Sequence, residues 1–440
     1  MRGVMTRPNI LFFLPDQHRY DWLTSNPGLP LRMPNLDRLM KGGTRFTRCY
    51  TPSPVCSPAR ACLATGRGYT RAGVMGNHQS TPTDLDNYYR ILRDAGYQVS
   101  GVGKFDLHKP DRDWGLDGKN MLPEYGFTSG CDNEGKGDAI TSWHLDRKPR
   151  GPYMHHLTGE GQVEAHLGMY AEEKGLDWSA ISPLPEGDYC DNWIGSNAIS
   201  EIESFEKNKP WHLVINFTGP HDPYDVLPAM EEAWRGVEFP DPINPGDDDP
   251  VEVQRRRRYY AAMLENIDSQ MGRIMKAVEE RGELENTLIV YSSDHGEMLG
   301  DHGSWQKCKP EEGSSHIPLI LNGPGVPKGE VLEALVSLHD LSATYIESSG
   351  QELPEGMDAQ SLWPVMRGEK ERSHVVVGLN AWRMVLLGSA KVVFRKTGEV
   401  QVYDLKKDPD ETSPQEVGPT NEALVEECRK IIAEEAPFPK

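Results

Sequence analysis

Four near-continuous apolar runs, each ending on a reactive side chain, constrain this chain more than any other feature. Asn9-Ile10-Leu11-Phe12-Phe13-Leu14 leads to Asp16-Gln17, and Tyr97-Gln98-Val99-Ser100-Gly101-Val102-Gly103 leads to Lys104. Trp211-His212-Leu213-Val214-Ile215-Asn216-Phe217 leads to His221, and Thr287-Leu288-Ile289-Val290-Tyr291-Ser292-Ser293 leads to Asp294-His295. A strand apolar at successive positions has to be covered on both faces, which is the situation of a parallel sheet between two layers of helices. Ligands of such sheets bind beyond the carboxyl ends of the strands. The four runs therefore predict one sheet edge carrying carboxylate, amide, ammonium and imidazole groups together.

The rest of the chain fits an α/β unit with an appendage. At 440 residues it exceeds one ordinary small core. Tyr260, Met263, Leu264, Ile267, Met271, Ile274 and Val278 keep helical spacing between about Val253 and Arg281. The cluster Arg255-Arg256-Arg257-Arg258 at its start reads as a solvated helix face with acidic neighbours, and Asp241 to Pro250 as a surface loop ahead of it. From about Trp114 to Trp193 no strand period is visible, so this stretch is expected to form long insertions at the rim of the site. His144, His155, His156 and His166 within it read as surface or internally satisfied histidines. A helix containing Leu341 to Ile346 closes the main unit. Met384–Leu387, Lys391–Phe394 and Val400–Tyr403 are short strands, followed by a charged helix from Asn421 to Glu435. The expected architecture is a large mixed, mostly parallel sheet covered by helices on both faces over residues 1–375, with a smaller C-terminal antiparallel sheet and helix over 376–440.

Charge narrows the partners. The formal net charge of −20, from 67 acidic and 47 basic residues, argues against nucleic acid or an anionic membrane surface. An anionic substrate would have to meet a local basic pocket. Seven cysteines, at 49, 56, 62, 131, 190, 308 and 428, form an odd and scattered set that reads as reduced thiols. No apolar run is long enough to cross a bilayer, and Met1-Arg2-Gly3-Val4-Met5-Thr6-Arg7-Pro8 lacks the apolar core of a signal peptide. The expectation is a cytoplasmic protein if Met1 is the native start, and a trimmed secreted or periplasmic form otherwise.

Cys56-Ser57-Pro58-Ala59-Arg60, followed by Thr65-Gly66-Arg67, places a thiol just before a helical turn, where free backbone N–H groups and the helix dipole favour an anion. Taken alone, Cys56 is equally a buried structural thiol. The stretch resembles the signature of the type I sulfatases, members of the alkaline phosphatase-like superfamily, in which the cysteine is oxidised to formylglycine (3-oxoalanine). A hydrated aldehyde offers a hard oxygen for attack at sulfur or phosphorus, which a soft thiolate serves less well. Its second hydroxyl, once deprotonated, expels the bound sulfate and regenerates the aldehyde.

The resemblance covers the N-terminal two thirds motif by motif and implies the remaining roles. Asp16, Gln17, Asp294 and His295, with position 56, would hold a divalent metal, Ca²⁺ first and Mn²⁺ or Mg²⁺ as alternatives. Many sulfatases carry Asp-Asp where this chain has Asp16-Gln17, and Asn where it has His295. The Asp-Gln and Asp-His pairs resemble the branch of choline sulfatases, phosphonate monoester hydrolases and some arylsulfatases. Arg60 would orient the formylglycine, Lys104 would hold the sulfate, and His221 and Lys307 would contact sulfate and leaving-group oxygens. Asn77 matches a substrate-side asparagine. The family form Gly-Lys-x-His would put histidine at 106, but Asp106 stands there and His108 follows, so either His108 replaces that imidazole or Asp106 reads a cationic or hydroxylated substrate. Tyr403-Asp404-Leu405 and Asp408-Pro409 resemble the closing motif of sulfatase C-terminal subdomains. The implied activity is hydrolysis of a small anionic sulfate ester, a sulfated sugar among the candidates, through a formylglycine sulfoester. Phosphonate monoester or phosphodiester hydrolysis with the same nucleophile is the alternative, and a catalytically silent binding protein the outsider. A formylglycine-generating maturation enzyme is the expected partner, and an oligomer is compatible with the sequence.

Overall fold

The computed structural model describes residues 7–169 and 179–439. The leader reading at residues 1–6 and the 170–178 part of the expected rim lie outside the described residues. The main sheet has eight strands in the order β10-β2-β9-β8-β1-β6-β3-β4. They are β1 (Asn9–Phe13), β2 (Thr44–Tyr50), β3 (Gln98–Gly103), β4 (Cys131–Asp132), β6 (Trp211–Asn216), β8 (Thr287–Ser292), β9 (His316–Asn322) and β10 (Glu330–Ser337). A separate two-stranded pair joins β5 (Ser179–Ile181) to β7 (Tyr224–Val226).

The four apolar runs are the parallel centre of this sheet. Strand β1 lies between β6 and β8, with Phe12 opposite Val214 on one side and Val290 on the other. Strand β3 extends the parallel set on β6, and β4 on β3. Alternation along β1 sends Leu11 and Phe13 into one core, with Ile267, Met271 and Ile274, and Ile10, Phe12 and Leu14 into another, with Leu63 and Tyr345. Both faces are buried, as continuous hydrophobicity requires. The mixed character enters through β9, antiparallel to both β8 and β2, and β10, parallel to β2.

Helix Pro250–Glu280 matches the periodic segment and starts at an N-cap, Asp249, whose side chain accepts from Val251 N. Arg255 and Arg256 pair with Glu252 as a solvated face would, but Arg257 is buried, donating to Leu299 O at 3.0 and 2.9 Å and pairing with Asp301. The 114–193 stretch holds short helices, Leu122–Tyr125, Lys136–Asp146, Pro152–Gly159 and Val163–Gly168, rather than extended loops. His144 and His155 are exposed, His156 pairs with Asp188, and His166 is buried edge-on to Tyr153.

The C-terminal sheet is antiparallel in the order β11-β12-β13-β14: β11 (His374–Leu379), β12 (Trp382–Leu387), β13 (Ala390–Arg395) and β14 (Val400–Asp404). One face packs on Val425, Cys428 and Ile432 of helix Glu422–Glu435, and the other on Tyr50 and Leu335 of the main sheet. Its first strand begins at His374, ahead of the segment read as the start of the appendage. Lys391, fully buried, lies 3.1 Å from Glu312 of the larger unit and 2.5 Å from Glu411. Among the described residues no helix is long and apolar enough to cross a membrane.

Candidate active site

The carboxyl ends of β1, β3, β6 and β8 deliver Asp16, Lys104, His221 and Asp294 to one edge, and helix Cys56–Thr65 points its first residue at them. All ten residues of that helix are buried. No side chain of the N-cap, Val55, closes its start; Asn77 does so from outside, its Oδ1 accepting from Ser57 N at 3.0 Å. Gly66 ends it in the left-handed region at φ 63°, where a side chain would strain the backbone. Arg60 lies one turn below Cys56 on the same helix face.

Donor atoms of Asp16, Cys56, Asp294 and His295 all lie within 4.8 Å of one another. His295 Nδ1 donates to Gly296 O at 3.1 Å, so Nε2 presents its lone pair 3.5 Å from Asp16 Oδ1 and 3.7 Å from Asp294 Oδ2. A lone pair and two carboxylates converging without a proton between them suit a cation. Asp294 is oriented by Gln17 N and His295 N, which donate to Oδ1 at 3.1 and 3.0 Å. Gln17 itself sits at φ 76°. Buried oxygen donors with one imidazole fit a Ca²⁺, Mn²⁺ or Mg²⁺ ion.

Cations surround this anionic centre. Arg60 donates through Nε to Asp294 Oδ2 at 2.9 Å and through Nη1 to Asn216 Oδ1 at 2.9 Å and Lys104 O at 2.5 Å, with Nη2 3.4 Å from Asp16. The Lys104 ammonium bonds Asp16 and lies 2.9 Å from Asp106. Lys307 Nζ lies 3.3 Å from Cys56 Sγ and 2.9 Å from Gln17 Oε1, and donates to His221 Nε2, whose Nδ1 faces Asp222. Burial alone would raise Asp16, but the charge of Lys104, with that of Lys307, holds it well below the usual carboxylate range. Burial and Asp16 push the Cys56 thiol up, and the charges of Lys104 and Lys307 outweigh them, so it lies well below its ordinary value.

Cys56, Arg60, Lys104, His221, Lys307, Asp16, Gln17, Asp294 and His295 thus form one connected cluster. Asn77 reaches it as a cap of the helix that begins at Cys56. Asp106 is bonded to Lys104 and to Lys109, 3.2 Å away, whereas His108 is hydrogen-bonded to Asp132 at 3.0 Å, with no hydrogen bond to the cluster. Sequence reasoning missed Asp222, Glu297, Gln306, Asn216 and Lys109. Two of them carried a signal: Asp222 adjoins His221, and Glu297 completes the run Asp294-His295-Gly296.

A buried donor set beside a low-pKa thiol at a helix start, ringed by cations, is the equipment of a hydrolase acting on anionic esters. The sulfatase family model matches residues 8–350, and the chain belongs to the sulfatase family. It is 28% identical over 438 residues to the choline-sulfatase of Rhizobium meliloti, covering 92% of this chain and 81% of that one. The phosphonate monoester hydrolase SpPMH from Silicibacter pomeroyi superposes with a TM-score of 0.82 at 21% identity, over 97% of this chain and 96% of its own. BT4656, solved in complex with its substrate D-glucosamine-2-N,6-O-disulfate, superposes at 0.76 and 21% identity, over 98% and 97%. At these identities the two structural likenesses speak for the fold.

Proposed function

We propose that the protein hydrolyses small anionic sulfate monoesters with residue 56, as formylglycine, for nucleophile. The observation that carries this reading is the position of Cys56 Sγ, 3.3 Å from both His295 Nε2 and Lys307 Nζ, inside the donor cluster of Asp16 and Asp294. The hydrated aldehyde would supply a hard oxygen there, and a divalent cation held by Asp16, Gln17, Asp294 and His295 would polarise that oxygen and those of the ester. Arg60, locked between Asp294 and Asp16, neutralises their charge and fixes their spacing. The Lys104 ammonium, steadied by Asp106, faces the anionic group, and Lys307 with His221 behind it serves the departing oxygen. Arg60, Lys104 and Asp16 are buried, which strengthens the contacts they make. A formylglycine-generating enzyme is the partner this chemistry requires, and sulfated sugars belong to the substrate class to be tried.

Phosphonate monoester or phosphodiester hydrolysis with the same nucleophile is the second reading, favoured by the neutral Gln17 and His295 in the donor set, which leave more room for negative charge. Initial rates on matched aryl sulfate, aryl phosphonate and phosphodiester separate the two. A sulfate preference in kcat/KM supports the first, a phosphonate or diester preference the second, and inactivity of formylglycine-bearing, metal-loaded protein on all three would refute both.

A further inference from the structure

Position 17 is an amide, and an amide offers a cation either an oxygen or an NH₂ group. Only the oxygen can ligate, and the two ends are nearly the same shape. What lies behind Gln17 makes the choice. Its Nε2 donates to Asp222 Oδ1 at 3.2 Å and to Glu297 Oε2, while Oε1 lies 2.9 Å from Lys307 Nζ, on the side where Lys307 meets Cys56. The reversed amide would turn its oxygen on two carboxylates and its NH₂ on an ammonium, unpairing three hydrogen bonds, the one to Glu297 fully buried. The orientation therefore follows from the neighbours' chemistry, whichever way the amide is drawn.

Both carboxylates are held for this task. Glu297 is fully buried; its Oε1 accepts from Leu299 N at 3.1 Å and from Gln306 N, which leaves Oε2 for Gln17. Asp222 Oδ2 accepts from Gln306 Nε2 at 2.9 Å, while its Oδ1 takes Gln17 and also faces His221 Nδ1 at 3.3 Å. Gln306 thus braces both carboxylates and, as the neighbour of Lys307, joins them to the loop carrying that ammonium.

We infer that Glu297 and Asp222 are positioning residues for metal binding, a polar lock that keeps the Gln17 oxygen turned toward the Asp16, Asp294 and His295 donors. The inference rests on the metal reading of that cluster. Outer partners of this kind change metal affinity by about 10- to 100-fold.

Calorimetric titration of chelator-stripped full-length protein with Ca²⁺ and with Mn²⁺ tests it. Saturable binding is expected for the wild type, and its absence would overturn the metal reading and the lock together. If the wild type binds, Glu297→Gln is expected to weaken affinity by about 10- to 100-fold, and Asp222→Asn by a smaller factor in the same direction, with metal-free melting curves checking that each variant is folded. Gln17→Glu sets a carboxylate against the same pair and is expected to weaken binding as well. The double variant Gln17→Glu/Glu297→Gln exchanges the two ends of one hydrogen bond, so its affinity should recover by at least about tenfold over Gln17→Glu. Wild-type affinity in folded Glu297→Gln and Asp222→Asn, or losses that simply add in the double variant, would overturn the lock while leaving the metal site standing. Should Glu297→Gln not fold, Asp222→Asn decides alone: weakened binding supports the lock and unchanged binding sinks it.

Discussion

His108 Nε2 lies 3.0 Å from Asp132 Oδ2, and both residues are buried. Asp106, two residues earlier, sits in the left-handed region at φ 53° and turns its carboxylate to Lys104 and Lys109. A loop that could have offered an imidazole to the Cys56 cluster offers instead a carboxylate that pairs with its lysine, Lys104.

Asp106→Asn is therefore expected to lower kcat/KM by about tenfold or more on every ester accepted, because Lys104 loses a charged brace. His108→Ala is expected to cost no more than about threefold on activated aryl sulfates. Rates measured across a series of leaving-group pKa values check this. A loss confined to His108→Ala and growing with leaving-group pKa would return the contact to His108.

Replacing Cys56 should separate chemistry from folding. On the proposed reading Cys56→Ala removes the nucleophile's precursor and should lower turnover by roughly four orders of magnitude or more, with an unchanged circular dichroism spectrum. Peptide mass spectrometry across residue 56 of active protein should show the aldehyde or its hydrate. Full activity from an intact thiol would sink the formylglycine reading.

Arg60→Met strips the shared partner from two buried carboxylates. Leaving them uncompensated is expected to cost about 3–5 kcal/mol in metal-free protein, read from the denaturant midpoint. Added divalent cation should recover part of that loss by neutralising the same oxygens. Stability within about 0.5 kcal/mol of wild type would show the pairing to be energetically idle.

Acid should weaken the fold through histidines buried in neutral form. Burial lowers His212 to about 3 and His166 to about 4. Unfolded histidine titrates near 6.5, so between that value and the depressed ones the unfolded chain binds the extra protons. Stability is then fully present above pH 6.5 and falls with acid by about 1.4 kcal/mol per pH unit for each of the two. His212 donates from Nδ1 to Ile10 O and, as the neutral ring, accepts at Nε2 from the Tyr88 hydroxyl. His212→Phe should remove one proton's worth of slope between pH 6.5 and 4.5 in denaturant titrations, and an unaltered slope would contradict the assignment.

The centre of the fold was legible because β1, β6 and β8 are apolar at nearly every position and β3 sets two valines among small residues, a pattern that admits few alternatives. The flanking strands were not. Thr44-Arg45-Phe46-Thr47-Arg48-Cys49-Tyr50 alternates around two arginines, β9 carries Pro318, and Glu330-Val331-Leu332-Glu333-Ala334-Leu335 has the spacing of a helix. These strands owe their place to neighbours far along the chain. The site divides in the same way. Residues at strand ends and in compact motifs could be read directly, whereas Glu297, Asp222 and Gln306 matter through contacts with Gln17 and with each other that appear only once three loops meet. Asp106 and His108 show the limit of spacing as a guide, since one positive φ settles which of them faces the lysine.

The pairing of β1 sets an order in time. Ile10 lies beside His212 and Asn9 beside Thr287, so a chain growing from its N-terminus carries β1 without the pair of neighbours that flank it until Thr287 to Ser292 have been made. Asp294 and Lys307, which help enclose Cys56, emerge later still. The helix that ends up wholly buried is thus open to a second protein until those residues appear, and an enzyme that oxidised Cys56 would have its window there. A variant that folds sooner after leaving the ribosome would shorten that window and arrive less completely matured, however stable its finished form.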